Sequence, residues 1–180
     1  TGEMEINMRN KQIGNKIFNK ESMLLYAVTD RQWLDGKSFE EEIEAVLKSG
    51  VTFLQLREKN LSYDELVAEG KVIKKIADKY NVPFVIDDIY AAKEIDADGV
   101  HIGQSDMEYE KARKILGDDK IIGVTAPTPE LAIKAQEAGA DYIGVGAVFH
   151  TTTKKDAKDM KKETLLDITS RVDIPVVAIG

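Results

Sequence analysis

The chain has no cysteine among its 180 residues, which removes disulfides, thiolate metal ligands and thiol nucleophiles together. That absence accords with a reducing compartment, and the cytoplasm is the expected location. Histidine is almost as scarce. His101 and His150 are the only two. Neither has an adjacent nucleophile or a metal-ligand partner at helical spacing, so both read as packed or hydrogen-bonded residues outside any mechanism. No apolar run approaches the roughly 18 residues of a membrane span, and residues 1–22 hold no block long enough for a signal-peptide core. A surplus of basic residues is missing too. With 25 Lys and Arg against 32 Asp and Glu, the net charge is -7, which argues against a nucleic-acid or anionic-membrane surface while leaving room for a local basic pocket.

What the chain does have is alternation. At 43% hydrophobic and 32% charged it suits one domain with a substantial core. Short apolar runs predict strands near residues 23–28, 52–57, 83–87, 98–102, 120–124, 141–146 and 175–179. Between them, residues 38–49, 62–80, 89–95, 107–117, 128–138 and 162–171 repeat apolar side chains at helical spacing. Ser62 with Glu65 forms a capping box, and Thr128 precedes Pro129 at a favourable first helical position. Residues 23–180 are therefore read as one domain of consecutive βα units, with residues 1–22 as a leader available as a helix that covers one end.

Two segments echo each other: Ala97-Asp98-Gly99-Val100-His101-Ile102-Gly103 and Ala140-Asp141-Tyr142-Ile143-Gly144-Val145-Gly146. Each sets a helix exit just before a strand and a glycine just after it, as repeated βα architecture requires. Seven strands are visible and the chain stops at Ile179-Gly180. A closed (β/α)8 barrel needs one more βα unit, so the expectation is that the C-terminal part of the domain is missing. An open doubly wound sheet fits the same alternation.

Polar residues gather where these strands end. Gln55, Arg57 and Lys59 alternate, so a strand buried in its first half delivers an amide and two cations on one side as an anion site. Asp87 and Asp88 follow the third strand, and Gln104, Ser105 and Asp106 follow the fourth. Taken singly, Asp88 or Asp106 reads as a helix cap. Jointly, at the ends of neighbouring parallel strands, they point to Mg²⁺, a hard cation that takes carboxylates together with phosphate oxygens. After the sixth strand, Thr151, Thr152, Thr153 and Lys154 offer hydroxyls, backbone N–H groups and a charge to a phosphate. Lys155, Asp156, Lys158, Lys161 and Lys162 read as surface charge without a role.

In combination, Tyr26 to Arg31, Gln55-Leu56-Arg57-Glu58-Lys59-Asn60, Asp87-Asp88, Asp98 to Met107, Gly139 to Gly146 and Thr151 to Asp156 closely resemble the thiamine-phosphate synthases. The resemblance covers about residues 23–180 in order. It implies a TIM barrel, here without its eighth βα unit, which joins hydroxymethylpyrimidine diphosphate to a thiazole phosphate and releases pyrophosphate. By that resemblance the substrate-binding set is Gln55, Leu56, Arg57, Glu58, Lys59, Asp87, Thr125, Thr151, Thr152, Thr153, Lys154 and Gly180, with Asp88 and Asp106 on Mg²⁺. Arg57, Lys59 and Lys154 would act catalytically on the leaving pyrophosphate. Thr125 stands where the family often has Ser, and Gly180 would begin a Gly-rich phosphate loop. Asp87 departs from the pattern, since the family commonly has Asn there. An ionised Asp lacks the amide donor and repels a diphosphate unless a cation or a raised pKa offsets it. The partners implied are the two small-molecule substrates, and a homo-oligomer is left open. Two other readings share the barrel: a thiazole tautomerase, which would want a general acid or base in the loop around Pro127, and a non-catalytic protein that only binds phosphate ligands.

Overall fold

The computed structural model describes residues 10–103, 109–150 and 159–180. Where the leader was expected to be helical, residues 11–18 form an antiparallel hairpin of β1 (Lys11–Ile13) and β2 (Lys16–Phe18). The reason is visible in its side chains. Ile13, Lys16 and Phe18 are buried while Gln12 and Ile17 are not, which is the two-residue period of a half-buried ribbon.

Seven parallel strands follow: β3 (Tyr26–Val28), β4 (Phe53–Leu56), β5 (Phe84–Ile86), β6 (Gly99–Ile102), β7 (Ile121–Thr125), β8 (Tyr142–Gly146) and β9 (Val176–Ile179). They alternate with α1 (Phe39–Lys48), α2 (Tyr63–Lys79), α3 (Ile89–Glu94), α4 (Tyr109–Leu116), α5 (Pro129–Ala138) and α6 (Lys162–Arg171). The expected capping box opens α2 at Ser62/Glu65, a second one opens α1 at Ser38/Glu41, and Thr128 caps α5.

Strand order decides between the two architectures that the sequence left open. A doubly wound sheet reverses direction at a switch point, whereas here each strand pairs with the next in unbroken order from β3 to β9. All crossovers therefore progress one way round, as in a TIM barrel. The ring is not closed by pairing between β3 and β9. Met23, Leu24, Leu25 and Tyr26 on one side and Val177, Ala178 and Ile179 on the other line a cleft at that seam. Among the described residues no helix is long and apolar enough to cross a membrane.

Alternation along the strands divides the core. Leu54, Leu56, Phe84, Ile86, Val100, Ile102 and Ile122 face the helices, while Phe53, Val85, Ile121 and Tyr142 fill the ring together with Ile13 and Phe18 of the hairpin. Phe18 sits edge-on to Phe53 at 6.0 Å between ring centroids. The hairpin thus plugs the end of the barrel at which the strands begin, and all rim chemistry lies at the opposite end.

The echoed Ala-Asp segments explain how the plug is held. Asp98 accepts from the backbone N of Phe84 at 2.8 Å, and Asp141 accepts from the backbone N of Ile122 at the same distance. Each carboxylate also binds a hairpin lysine at 2.6 Å, Asp98 taking Lys16 and Asp141 taking Lys11. Lys16 reaches Asp78 of α2 as well. Because Lys16 and Asp98 are 5% and 4% exposed, removing one partner leaves the other charge buried, a loss of about 3 kcal/mol. Urea unfolding of Lys16→Ala is expected to show that loss. Restoring most of it with the double variant Lys16→Met/Asp98→Asn would identify the stranded carboxylate as the cause, and a loss under ~1 kcal/mol in the single variant would contradict it.

Candidate active site at the strand ends

β4 runs out towards the open rim, and its alternation places Phe53 and Gln55 inside the ring with Leu54 and Leu56 outside. Gln55 is only 5% exposed, Arg57 is half-buried and Lys59 is exposed, so exposure rises from the amide to the two cations as the chain leaves β4. Thr29 secures this step. Its backbone N donates to the Gln55 carbonyl at 3.0 Å, and its hydroxyl accepts from the Arg57 backbone N at 2.9 Å.

Two members of the motif are occupied elsewhere. Leu56 is fully buried in the helix-facing core, so its side chain does not reach the rim and only its backbone can contribute to a site. The Glu58 carboxylate accepts from Arg31 Nε at 3.0 Å. The same guanidinium also pairs with Glu69 of α2 and lies 4.2 Å from the centroid of Phe39 on α1. Glu58 is thereby held as a strut that ties the β4 loop to the helix layer.

Asp87 and Asp88 lie at the end of β5, both half-buried. Asp88 does act as the N-cap of α3, with its Oδ1 accepting from the Ala91 backbone N at 2.8 Å. Among the described residues no three His, Cys, Asp or Glu side chains converge as a metal cluster. Asp106, together with Gln104 and Ser105, lies outside the described residues, as do Thr151, Thr152, Thr153 and Lys154. Gly180 follows β9 at a φ of +128°, and a Cβ there would stand 2.8 Å from the Val148 N and the Phe149 carbonyl oxygen. Only glycine fits that approach of two chain segments.

Inside the ring, directly below the rim, an unbroken hydrogen-bonded chain crosses the barrel. Tyr26 Oη donates to Gln55 Oε1 at 2.8 Å, and Tyr26 Oη and Tyr142 Oη are 2.8 Å apart. His101 Nδ1 lies 2.9 Å from Tyr142 Oη, and His101 Nε2 lies 3.0 Å from Thr125 Oγ1. Thus Gln55 and Thr125, on β4 and β7, are joined through three side chains on β3, β8 and β6. Glycines clear the space. A Cβ on Gly123 would lie 2.0 Å from the Tyr142 ring, and one on Gly144 would lie 3.2 Å from His101 Cε1. His101 is therefore a member of the site's supporting layer, a role missed by treating it as an isolated histidine. The signal lay in strand parity: Tyr26, Gln55, His101, Thr125 and Tyr142 all occupy the inward register.

A parallel βα barrel that gathers an amide, two cations, two carboxylates and a hydroxyl at the ends of its strands has the layout of a barrel enzyme. Comparison narrows the class. The family model described as thiamine monophosphate synthase matches residues 25–180. The thiamine-phosphate synthase of Clostridium tetani is 50% identical over 157 residues, covering 87% of this chain and 75% of that protein. That of Ruminiclostridium cellulolyticum is 50% identical over 163 residues, covering 90% and 78%. Among solved structures, a thiamine phosphate pyrophosphorylase from Pyrococcus furiosus aligns with a TM-score of 0.81 at 37% identity, covering 89% of this chain and 76% of that one. An N-acetylmannosamine-6-phosphate 2-epimerase from Clostridium perfringens, at 14% identity and a TM-score of 0.60, shares the fold alone. The chain belongs to the thiamine monophosphate synthase family.

Burial in the ring raises the pKa of both Tyr26 and Tyr142 above the ordinary phenol value, with desolvation the leading cause for each. A raised folded-state pKa contributes stability that is present below the unfolded value, about 10, and is lost as pH climbs above it. Stability should therefore fall above pH ~10, by up to about 1.4 kcal/mol per pH unit for each tyrosine. Urea unfolding across that range should give a shallower alkaline decline for Tyr26→Phe than for the parent chain. Parallel declines would show that the phenol is not withheld from ionisation.

Proposed function

We propose that this chain joins hydroxymethylpyrimidine diphosphate to a thiazole phosphate, giving thiamine phosphate and pyrophosphate. Membership of the family, with relatives at 46–50% identity named thiamine-phosphate synthase, supports the reaction class. The observation that supports carrying the reading to particular residues is the buried Gln55 amide at the end of β4, hydrogen-bonded to Tyr26 and followed by the increasingly exposed Arg57 and Lys59.

The chemistry asked of these residues is electrostatic. Breaking the bond between the pyrimidine methylene carbon and its bridging oxygen sends the electron pair to pyrophosphate, and the electron-rich pyrimidine delocalises the positive charge left behind. Arg57 and Lys59 bind the diphosphate and take up the growing negative charge, with Lys154 supplying a further cation. Thr151 to Thr153 and the backbone at Gly180 receive the thiazole phosphate. The thiazole nitrogen then donates its lone pair to the methylene carbon. No protein nucleophile takes part, so a chain without cysteine loses nothing.

Mg²⁺ is the cofactor in this reading. The donors at the end of β5 are carboxylate oxygens, a hard set that suits Mg²⁺ and not a soft ion. Asp88 and Asp106 would hold it, and when bound it supplies positive charge to the leaving diphosphate. Both ring nitrogens of His101 are engaged within the barrel, which favours this substitution over a tautomerase that needs a free proton carrier.

Pyrophosphate release in the presence of Mg²⁺ tests the reaction: it should require both substrates together, and release from neither combination would defeat the reading. The division of the site is tested by saturation curves. Arg57→Ala should raise KM for the diphosphate substrate at least tenfold, corresponding to the loss of one charge-assisted contact of about 1.5 kcal/mol or more, with little change for the thiazole phosphate. Equal loss for both would mean that the two phosphate positions are wrongly divided.

A further inference from the structure

The chain from Thr125 to Gln55 has a direction, and its direction decides what the rim offers a ligand. Each phenol has one hydrogen to give, and a neutral imidazole has one donor and one acceptor nitrogen. Tyr26 spends its hydrogen on Gln55 Oε1. The hydrogen between the two phenols must then come from Tyr142, whose oxygen can only accept from His101 Nδ1. That places the imidazole proton on Nδ1 and leaves Nε2 as an acceptor, filled by the hydroxyl of Thr125. With its carbonyl side committed to Tyr26, the Gln55 amide has its NH₂ to present as a donor. With its hydrogen committed to His101, Thr125 has oxygen lone pairs to present as an acceptor.

We propose that Tyr26, Tyr142 and His101 are positioning residues that set this polarity, so that the β4 side of the site donates and the β7 side accepts. At its centre and at its β4 end the relay is buried, with Tyr142 0% and Gln55 5% exposed, while Tyr26, His101 and Thr125 are half-buried. Reversing a single member would force the reversal of all of them or leave a buried polar group unpaired. Packing fixes the geometry independently of the hydrogen bonds. Tyr26 stacks on Phe53 at 4.8 Å between centroids, Phe53 meets Tyr142 edge-on at 5.5 Å, and the missing Cβ of Gly123 leaves room for the Tyr142 ring. A ligand edge that pairs a hydrogen-bond acceptor with a donor fits such a site, and the mirror pattern is rejected because it would leave both protein groups unpaired.

The functional consequence rests on the reading given above, but the test of polarity does not. The histidines are labelled with ¹⁵N in the folded full chain without substrates, and the tautomer of His101 is read from its nitrogen shifts and couplings. The Nδ1–H form is expected. An Nε2–H ring or a doubly protonated ring would overturn the proposal. Tyr142→Phe and Tyr26→Phe keep the rings that fill the barrel while removing one link each, and circular dichroism confirms that they remain folded. Tyr142→Phe is expected to abolish the Nδ1–H preference and to lower kcat/KM for the diphosphate substrate about tenfold, whereas Gln55→Glu, which keeps an acceptor for Tyr26, should retain Nδ1–H. An unchanged tautomer in Tyr142→Phe would refute the relay. Should the parent chain prove inactive with both substrates, the spectra alone decide the polarity, so failure of the reaction and failure of the relay are told apart.

Discussion

The volume inside a ring of seven strands is the constraint on which the rest of this structure depends. Every second side chain of each strand must fit there, and bulky residues on all strands would not fit at once. This chain resolves the conflict by grouping Phe53, Val85, Ile121 and Tyr142 with the hairpin's Phe18 in one apolar layer and by placing glycine at positions 123 and 144, where the Tyr142 and His101 rings need the space. The lower part of the ring is thereby filled, and the upper part is polar. What rises above it at the rim is a line of groups held from below.

The same packing explains why the hairpin matters to a site that it does not touch. Phe18 contacts Phe53 and Tyr142, with ring centroids 6.0 and 6.1 Å apart, and Tyr142 is the middle of the chain that joins His101 to Tyr26. Two lysines fasten the hairpin to the Asp98 and Asp141 carboxylates, each of which also receives a backbone N–H from the preceding strand. An ion pair at one end of the barrel, an aromatic layer in the middle and a hydrogen-bonded relay near the rim form a continuous column of contacts.

Much of this was legible in the sequence because strands and helices announce themselves by period. All seven predicted barrel strands and all six helices are present, with ends that differ by at most three residues. The hairpin was missed because its two strands are three residues each, too short for periodicity to register. The inward register of Gln55 was readable from parity within β4, whereas the relay was not, because it joins residues up to 116 positions apart. Leu56 and Glu58 entered the expected site by adjacency within a motif, but the Leu56 side chain is buried in the helix-facing core and the Glu58 carboxylate is engaged by Arg31. The meaning of the repeated Ala-Asp pair was equally hidden, since it depends on two lysines of a hairpin that the pattern did not reveal.

The central claim is that the ends of β4 and β5 form a diphosphate site supported by the hydrogen-bonded layer below. A crystal structure of the chain grown with Mg²⁺ and inorganic pyrophosphate tests it most directly. The account predicts the anion within hydrogen-bond distance of Arg57 and Lys59, with Mg²⁺ on the carboxylate side towards Asp88. Pyrophosphate bound elsewhere on the barrel, with Arg57 and Lys59 turned to solvent, would contradict it.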